Sequence, residues 1–324
     1  MVLVGNSRLM AEPISVTDDA GNAITLSGPV HRVISLAPAL TEIIYHVGGG
    51  NRLVGTVAHS DYPAAARKIQ RIGAHDRFDF EAILALQPDL IFAWTSGNPA
   101  DQLSRLEKLG LLVYRAEPGT LESLAATIQQ IGKVIGRAQE GLARSQELLI
   151  EANGIKQEFG HRQNLTVFYQ VWHDPIITLN GKHIVSQMLR SCGATNLFSD
   201  LPDIAPVVSL ESVIKRNPEV IVVGGTPDGA PKWLKNWEAW GHITAVARGH
   251  LFSVNADLLH RHSPRIVLGL RELCEILDQA RQCPQREKLT SLPDTVVEET
   301  RPVLAHGSFL QWHTLHPEDY LPLF

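Results

Sequence analysis

No apolar run in this chain approaches the roughly 18 residues that a bilayer-spanning helix needs, so insertion into a membrane is not expected. Basic charge is not in excess either. Lys and Arg number 29 against 34 Asp and Glu, for a formal net charge of −5. With no basic cluster, the electrostatic footprint of a nucleic-acid binder is missing. The charge-rich window "HDRFDFE" is mixed in sign and reads as solvated loop. Cysteine is scarce, and Cys192, Cys274 and Cys283 are neither spaced as a metal knuckle nor frequent enough for a disulfide scaffold. The residues alone leave open one long-range disulfide with a thiol left over, or three buried thiols. Catalytic signatures are missing: no G-x-S-x-G, no G-x-x-x-x-G-K-[ST], no G-x-G-x-x-G after the first strand and no H-E-x-x-H. The opening "MVLVGNSRLMAEP" has apolar residues only up to Val4 before Gly5 and Asn6, short of the apolar core of about 7 to 15 residues in a secretory signal. Either no export signal is present, or the sequence begins within or after one.

What is present is enough chain for two ordinary domains, 324 residues with 44% hydrophobic and 19% charged. "ISVTDDAGNAITLSG" alternates apolar and polar around a turn and reads as a β-hairpin from about Ile14 to Leu26. From "HRVISLAP" onward, short buried strands ("RLVGTV", "DLIFAW", "LLVYRAE") alternate with short helices ("ALTEIIYHVGGG", "DFEAILALQ", "DQLSRLEKLG"). That alternation predicts a mostly parallel α/β sheet. From Leu121 to about Phe159 the periodicity is helical, read as one helix packed on the first lobe and a second, from about Ala138, that leaves it. Strand and helix then alternate again up to the long amphipathic "SPRIVLGLRELCEILDQAR". The expected fold is therefore α/β, two Rossmann-like lobes joined by a long connecting helix with a ligand cleft between them. The expected boundaries are 14–136 for the first lobe, 137–160 for the connecting helix, 164–282 for the second lobe, and 283–324 for an irregular tail without assigned function.

One passage is written twice. "FEAILALQPDLIFAW" and "LESVIKRNPEVIVVG" each run Glu, an aliphatic pair, Pro, an acid and a string of β-formers, and the offset from Glu81 to Glu211 is also that from Pro88 to Pro218. Asp79 and Ser209 suit N-caps, placing each glutamate at the second helical position, where the helix dipole favours a carboxylate by about 0.3 to 1 kcal/mol. Matched placement in two lobes carries a second reading: two anchors, each meeting a basic pocket on a two-fold symmetric partner.

Large aromatic and imidazole side chains gather at strand ends: His59, His75, Trp94, and Trp172 with His173, joined by Asp257, His260, Arg261 and His262 in "NADLLHRHSPR". Ligands of open α/β sheets bind beyond the carboxyl ends of the strands, and a cleft between lobes is the default location. Singly, each histidine is better read as a surface or packing residue. Trp233, Trp237 and Trp240 recur at helical spacing and read as packing against the second lobe. Arg261 and Arg265 fall in the first turn of the last helix, where basic groups are mildly unfavourable, which favours a functional role for Arg261. His260 and His262 offer two zinc ligands for a hydrolase, but no third ligand stands at a recognisable spacing.

Taken together, "RVISLAPALTEIIYHVG", "VGTVAHSDYP", "FEAILALQPDLIFAW", "GNPADQLSRLEKLGL", "CGATNLF", "VSLESVI" and "DLLHRHSPRI" resemble the cobalamin-binding periplasmic proteins that feed an ABC importer. The resemblance runs from about Arg32 to Arg281. "S-L-A-P-x-x-T-E" marks the broader class, which also carries haem and ferric siderophores. "SDYP", "AW-x-x-G-N" and "D-L-L-x-R-H-[ST]-P-R" lean toward cobalamin. The resemblance implies a monomeric, non-enzymatic, periplasmic binding protein with a rigid helical backbone, no metal or cofactor of its own, and cobalamin or a related corrinoid as ligand. It implies that Glu81 and Glu211 dock into arginine pockets on the two membrane subunits of the permease, and that Cys192 and Cys274 form a disulfide, leaving Cys283 unpaired. It places Asp257 and Arg261 near the corrin amide arms and Trp94 on the cleft wall. His59 and His75 stand where other members carry Tyr and Trp, and Ala205 where they carry an aromatic, with Trp172 a substitute for the lost wall area. Haem, the alternative ligand, needs an axial ligand and cations for two propionates; His59, His75 or His173 offers the first and Arg261 part of the second.

Overall fold

The computed structural model describes residues 13–226 and 229–282; the expected tail, with Cys283, lies outside the described residues. The chain opens with the antiparallel hairpin β1 (Ile14–Thr17) and β2 (Ala23–Leu26). The first lobe then follows as β3 (Val33–Ser35), α1 (Pro38–His46), β4 (Leu53–Thr56), the small hairpin β5 (Gly73–Ala74) and β6 (Arg77–Phe78), α2 (Phe80–Ala85), β7 (Leu90–Trp94), α3 (Ala100–Lys108) and β8 (Val113–Ala116). Two long helices come next, α4 (Leu121–Val134) and α5 (Ala138–Phe159). The second lobe comprises β9 (Leu165–His173), β10 (Ile176–Thr178), α6 (Ile184–Ser191), β11 (Ala194–Asn196), α7 (Leu210–Arg216), β12 (Val220–Gly225), α8 (Thr244–Ala247), β13 (Leu251–Asn255), α9 (Ala256–Leu259) and α10 (Ile266–Gln282).

The two sheets share one plan. The first runs β4-β3-β7-β8 with every pairing parallel. In the second, β11, β9, β12 and β13 pair in parallel in the same spatial sense, and β10 folds back antiparallel on the far half of the long β9. Side chains alternate across each strand. Leu90 and Phe92 enter one apolar cluster while Ile91 and Ala93 enter another; Val220 and Val222 divide from Ile221 and Val223 in the same way. Continuous apolar strands are what a parallel sheet covered on both faces requires.

The inner cluster is common to both lobes. Leu40 and Ile128 of the first lobe, Leu148 and Ile155 of α5, and Met188 and Leu270 of the second all belong to it. An apolar interface of that kind opposes free movement of one lobe against the other. The 22 residues of α5 make a rod of roughly 33 Å. It does not leave the first lobe at once. Its first turns lie against α4, where a Cβ on Gly132 would sit 2.6 Å from the Gly141 Cα, so only glycine permits this approach. Further along it packs on α6 and α10. Cys192, at the end of α6, is bonded to Cys274 of α10, and this cross-link restricts the unfolded chain.

The doubled passage is one building block used twice. Asp79 accepts a hydrogen bond from the Ala82 N–H at 3.0 Å, and Ser209 from the Ser212 N–H at 3.2 Å. After each helix one residue turns left-handed, Gln87 at φ 44° and Asn217 at φ 46°, followed by the proline. The next acid then secures the neighbouring strand. Asp89 Oδ2 accepts from the His31 and Arg32 N–H groups at 2.7 and 2.8 Å, and Glu219 Oε2 accepts from the Thr166 N–H at 2.8 Å. The cap, the left-handed turn and the acid after the proline thus have structural work in both lobes. Glu81 and Glu211 are exposed and form no ion pair among the described residues.

Candidate functional site

The carboxyl ends of the first-lobe strands form one wall of a cleft enclosing about 660 Å³ of empty space, part of it open to solvent. Trp94 ends β7, Ala116 ends β8, and His59 and His75 lie on the loops after β4 and β5. Pro38 and Leu40 of α1 and Pro118 complete an otherwise apolar surface. The loops are held in register by Asn98, which is buried. Its Oδ1 accepts from the Trp94 N–H at 2.7 Å, and its Nδ2 donates to the carbonyls of Leu36 at 3.0 Å and His75 at 2.9 Å. Gly97 lies beneath the indole; a Cβ there would come within 2.0 Å of the Trp94 ring. A chain of hydroxyls, with Thr41 and Thr56 oxygens 2.8 Å apart and Thr56 donating to Ser60 at 2.8 Å, fixes the loop that carries His59.

The opposite side of the cleft is supplied by His260, Arg261 and His262, which follow α9. They are anchored across the lobes to Glu42 of α1. Arg265 grips Glu42 with two hydrogen bonds, Nε to Oε2 at 2.7 Å and Nη2 to Oε1 at 2.6 Å. Ser263 Oγ donates to Oε2 at 2.7 Å, and Arg261 Nη1 to Oε1 at 3.4 Å. Arg261 also meets Asp61 at 3.1 Å and, through Nε, Asp257 at 3.2 Å, the latter an ion pair without hydrogen-bond geometry. Glu42 is 2% exposed and Arg261 7%, so low local dielectric strengthens these contacts. At Asp61 burial alone would push the carboxyl up; Arg261 outweighs it and holds it below the usual range. A second seam flanks the cleft, where Gln187 of α6 accepts from the Leu121 N–H at 2.9 Å and donates to Glu122 at 2.8 Å.

Behind this side lies a cluster of imidazoles. His260 Nε2 is 2.8 Å from the Tyr169 hydroxyl, and the rings of His183 and His262 meet edge-on at 5.4 Å. Desolvation pushes His260 down to about 3. It pushes His262 to about 4, with the Pro118 carbonyl pulling the other way, and holds His183 well below its ordinary value. On the opposite wall burial lowers His75.

The sequence-derived candidates separate into groups. His59, His75, Trp94 and Arg261 share the cleft, joined by His260 and His262. Asp257 acts as a partner of Arg261 and is not among the cleft-lining residues. Trp172 does not line this cleft; its Nε1 donates to the Asp174 carbonyl at 3.0 Å in the turn between β9 and β10. Its neighbour His173 stacks on Trp233 at 5.3 Å, in a separate depression with Trp237 and Trp240. That places these tryptophans in second-lobe packing. Among the described residues no group of three His, Cys, Asp or Glu is placed to hold a metal ion, and His260 Nε2 is engaged with Tyr169, so the zinc alternative gains no support. Three residues of the site were not singled out from sequence: Glu42, Asp61 and Asn98. Each was in view as the last letter of "T-E", the acid of "SDYP" and the Asn of "AW-x-x-G-N".

Two parallel α/β lobes on a helical spine, with an apolar cleft at their strand ends, define a ligand-binding protein of the two-lobed kind. The chain belongs to the periplasmic binding protein family, whose model matches residues 33–258. It is 34% identical over 281 residues to the "Vitamin B12-binding protein" of Vibrio campbellii, covering 86% of this chain and 98% of that one. Identity to the Yersinia pestis protein of the same description is 32% over 244 residues, 75% and 85% of the two chains. The crystal structure of the periplasmic vitamin B12-binding protein of Vibrio cholerae aligns with a TM-score of 0.71 at 33% identity, covering 78% of this chain and 99% of that one. A periplasmic haem-binding protein solved with two haems shares the fold, with a TM-score of 0.69 at 23% identity over 78% of this chain and 99% of that one. No helix of the described residues is long and apolar enough to cross a membrane.

Proposed function

We propose that this protein is the solute-binding component of an ABC importer and holds cobalamin or a related corrinoid in the cleft between its lobes. The observation that carries the reading is the character of the cleft. Its lining is apolar and aromatic, and Arg261, the one permanent cation lining it among the described residues, is already bonded to the carboxylates of Glu42, Asp61 and Asp257. A broad ring with neutral amide edges suits such a surface. Haem brings two propionates, and burying them without an uncommitted cation is costly. The relatives at 32–34% identity, both vitamin B12-binding proteins, point the same way. The protein performs no catalysis of its own and requires no resident cofactor. It works as a monomer in the periplasm, an oxidising compartment in which the Cys192–Cys274 disulfide persists.

Mixing the pure protein with cyanocobalamin and with hemin, followed by absorbance and calorimetry, tests this. Saturable 1:1 uptake of cyanocobalamin is expected, and Trp94→Ala is expected to weaken it by about 2 kcal/mol, on the order of 30-fold. Saturation by hemin alone replaces cobalamin with haem. Binding of zinc with hydrolytic turnover, and of neither macrocycle, ends the transport reading.

The same reading gives Glu81 and Glu211 their role. Each is exposed at the second position of a short helix, one per lobe, and the Glu211 carboxyl is held low by its backbone N–H and the Ser209 hydroxyl. Both side chains face solvent, as anchors on a two-fold symmetric permease would. Reversing both to Lys is expected to reduce vitamin uptake by reconstituted transporter vesicles at least about tenfold, roughly 1.4 kcal/mol of docking, with ligand affinity unchanged. A loss of ligand affinity in this double variant would place the two glutamates in the pocket.

A further inference from the structure

The first-lobe wall carries two imidazoles whose ring nitrogens have no hydrogen-bond or ion-pair partner among the described residues, His59 and His75. The other cleft histidines differ. His260 Nε2 lies against Tyr169, and His262 faces the Pro118 carbonyl. His59 and His75 stand close enough for their charges to interact, on a surface otherwise made of alanine, proline, leucine and tryptophan. An unengaged imidazole nitrogen is the strongest metal-ligating group such a wall can offer. His59 is the more available of the two. It is exposed, while His75 is half-buried with its carbonyl pinned by Asn98 at 2.9 Å. The His59 backbone is left-handed, φ 62°, a conformation that few non-glycine residues adopt and that recurs at ligand clamps. Here it is held in place by the buried hydroxyl chain through Thr56 and Ser60.

We propose that His59 ligates the metal at the centre of the bound macrocycle, entering the axial position of a cobalt(III) corrinoid that carries an exchangeable water. The step is a ligand substitution. The cobalt–oxygen bond to water breaks, a cobalt–nitrogen bond to the imidazole forms, water leaves to solvent, and the cobalt oxidation state does not change. The cleft then discriminates between corrinoids by their upper axial ligand: those bearing water are held by a coordinate bond, and those closed by a strong ligand such as cyanide by packing alone. This rests on the corrinoid reading above.

The test uses the full chain with aquacobalamin and cyanocobalamin. On binding, aquacobalamin is expected to take on the visible spectrum of its adduct with free imidazole and to dissociate at least tenfold more slowly than cyanocobalamin, whose spectrum stays unchanged. His59→Asn tolerates the left-handed backbone and is expected to abolish the imidazole-type spectrum. Circular dichroism and an unchanged urea midpoint report that the variant is folded. Both corrinoids binding without a spectral change overturns the ligation and leaves the corrinoid reading standing. Persistence of the change in His59→Asn with its loss in His75→Asn overturns the assignment to His59. Binding of neither corrinoid by the wild-type chain removes both readings.

Discussion

Glu42→Ala lowers the unfolding free energy by about 3 kcal/mol or more, within the roughly 3–5 kcal/mol range for breaking a buried ion pair from one side. The carboxylate is 2% exposed and receives four donors, two of them from Arg265. Removing it leaves the Arg265 guanidinium over the Tyr62 ring at 4.0 Å without its carboxylate acceptor, and leaves Ser263 without its acceptor. Arg261 keeps Asp61 and Asp257, which places the effect toward the lower end of the range. Since Glu42 belongs to the first lobe and its donors to the second, the loss falls on the seam beneath the cleft. Hydrogen exchange of the segments around α1 and residues 261–265 is expected to rise with it. A paired Glu42→Met and Arg265→Met change removes both charges and recovers most of the stability, because a buried pair stabilises little relative to apolar replacements. Urea unfolding at pH 7.5 measures all three proteins; a loss under about 1 kcal/mol in Glu42→Ala would show that the charges are hydrated.

Stability is expected to fall between pH 7.5 and 5 by at least about 4 kcal/mol, through His260 and His262 with His183 acting in the same direction. The sign follows from their depressed values in the folded protein. His260 titrates at about 3 and His262 at about 4, while His183 lies well below its ordinary range. An unfolded histidine titrates near 6.5. Between those values the unfolded chain binds protons that the folded chain refuses, so stability is full above about 6.5 and declines as pH falls toward the folded values. His260, 8% exposed, contributes about 2 kcal/mol by pH 5, and His262 about as much, because both folded values lie at or below pH 4; His183 acts in the same direction. Carboxylates held low by their partners, such as Asp61 and Glu122, titrate below this window. Guanidinium midpoints at pH 7.5, 6.0 and 5.0 should therefore drop well before the carboxylates protonate. His262→Gln should reduce the fall by about 2 kcal/mol; a flat profile in the wild-type chain would mean that these imidazoles are hydrated.

Both predictions concern groups that the sequence displayed without explaining. "T-E" and "H-S-P-R" lie more than two hundred residues apart, and nothing in either stretch says that Glu42 accepts from Ser263 and Arg265. Arg261 was read as a ligand contact, and it does line the cleft, yet its guanidinium is engaged by three carboxylates. Trp172 shows the opposite limit. Its place at the end of β9 suggested a wall of the cleft, but the β9–β10 turn folds back and draws the indole to Asp174.

The order of strands and helices, the burial of the strands on both faces and the doubling of one βα unit follow from periodicity, caps and prolines, all of which act between residues close along the chain. The glutamates at 81 and 211 were marked by the same local rules. Which imidazoles remain unengaged, which carboxylates cross the seam and which tryptophan reaches the cleft depend on contacts between segments distant in sequence. Those were decided only when the two sheets packed on a shared core and brought their strand ends face to face. Local chemistry set the parts, and long-range packing set which side chains were left free to meet a ligand.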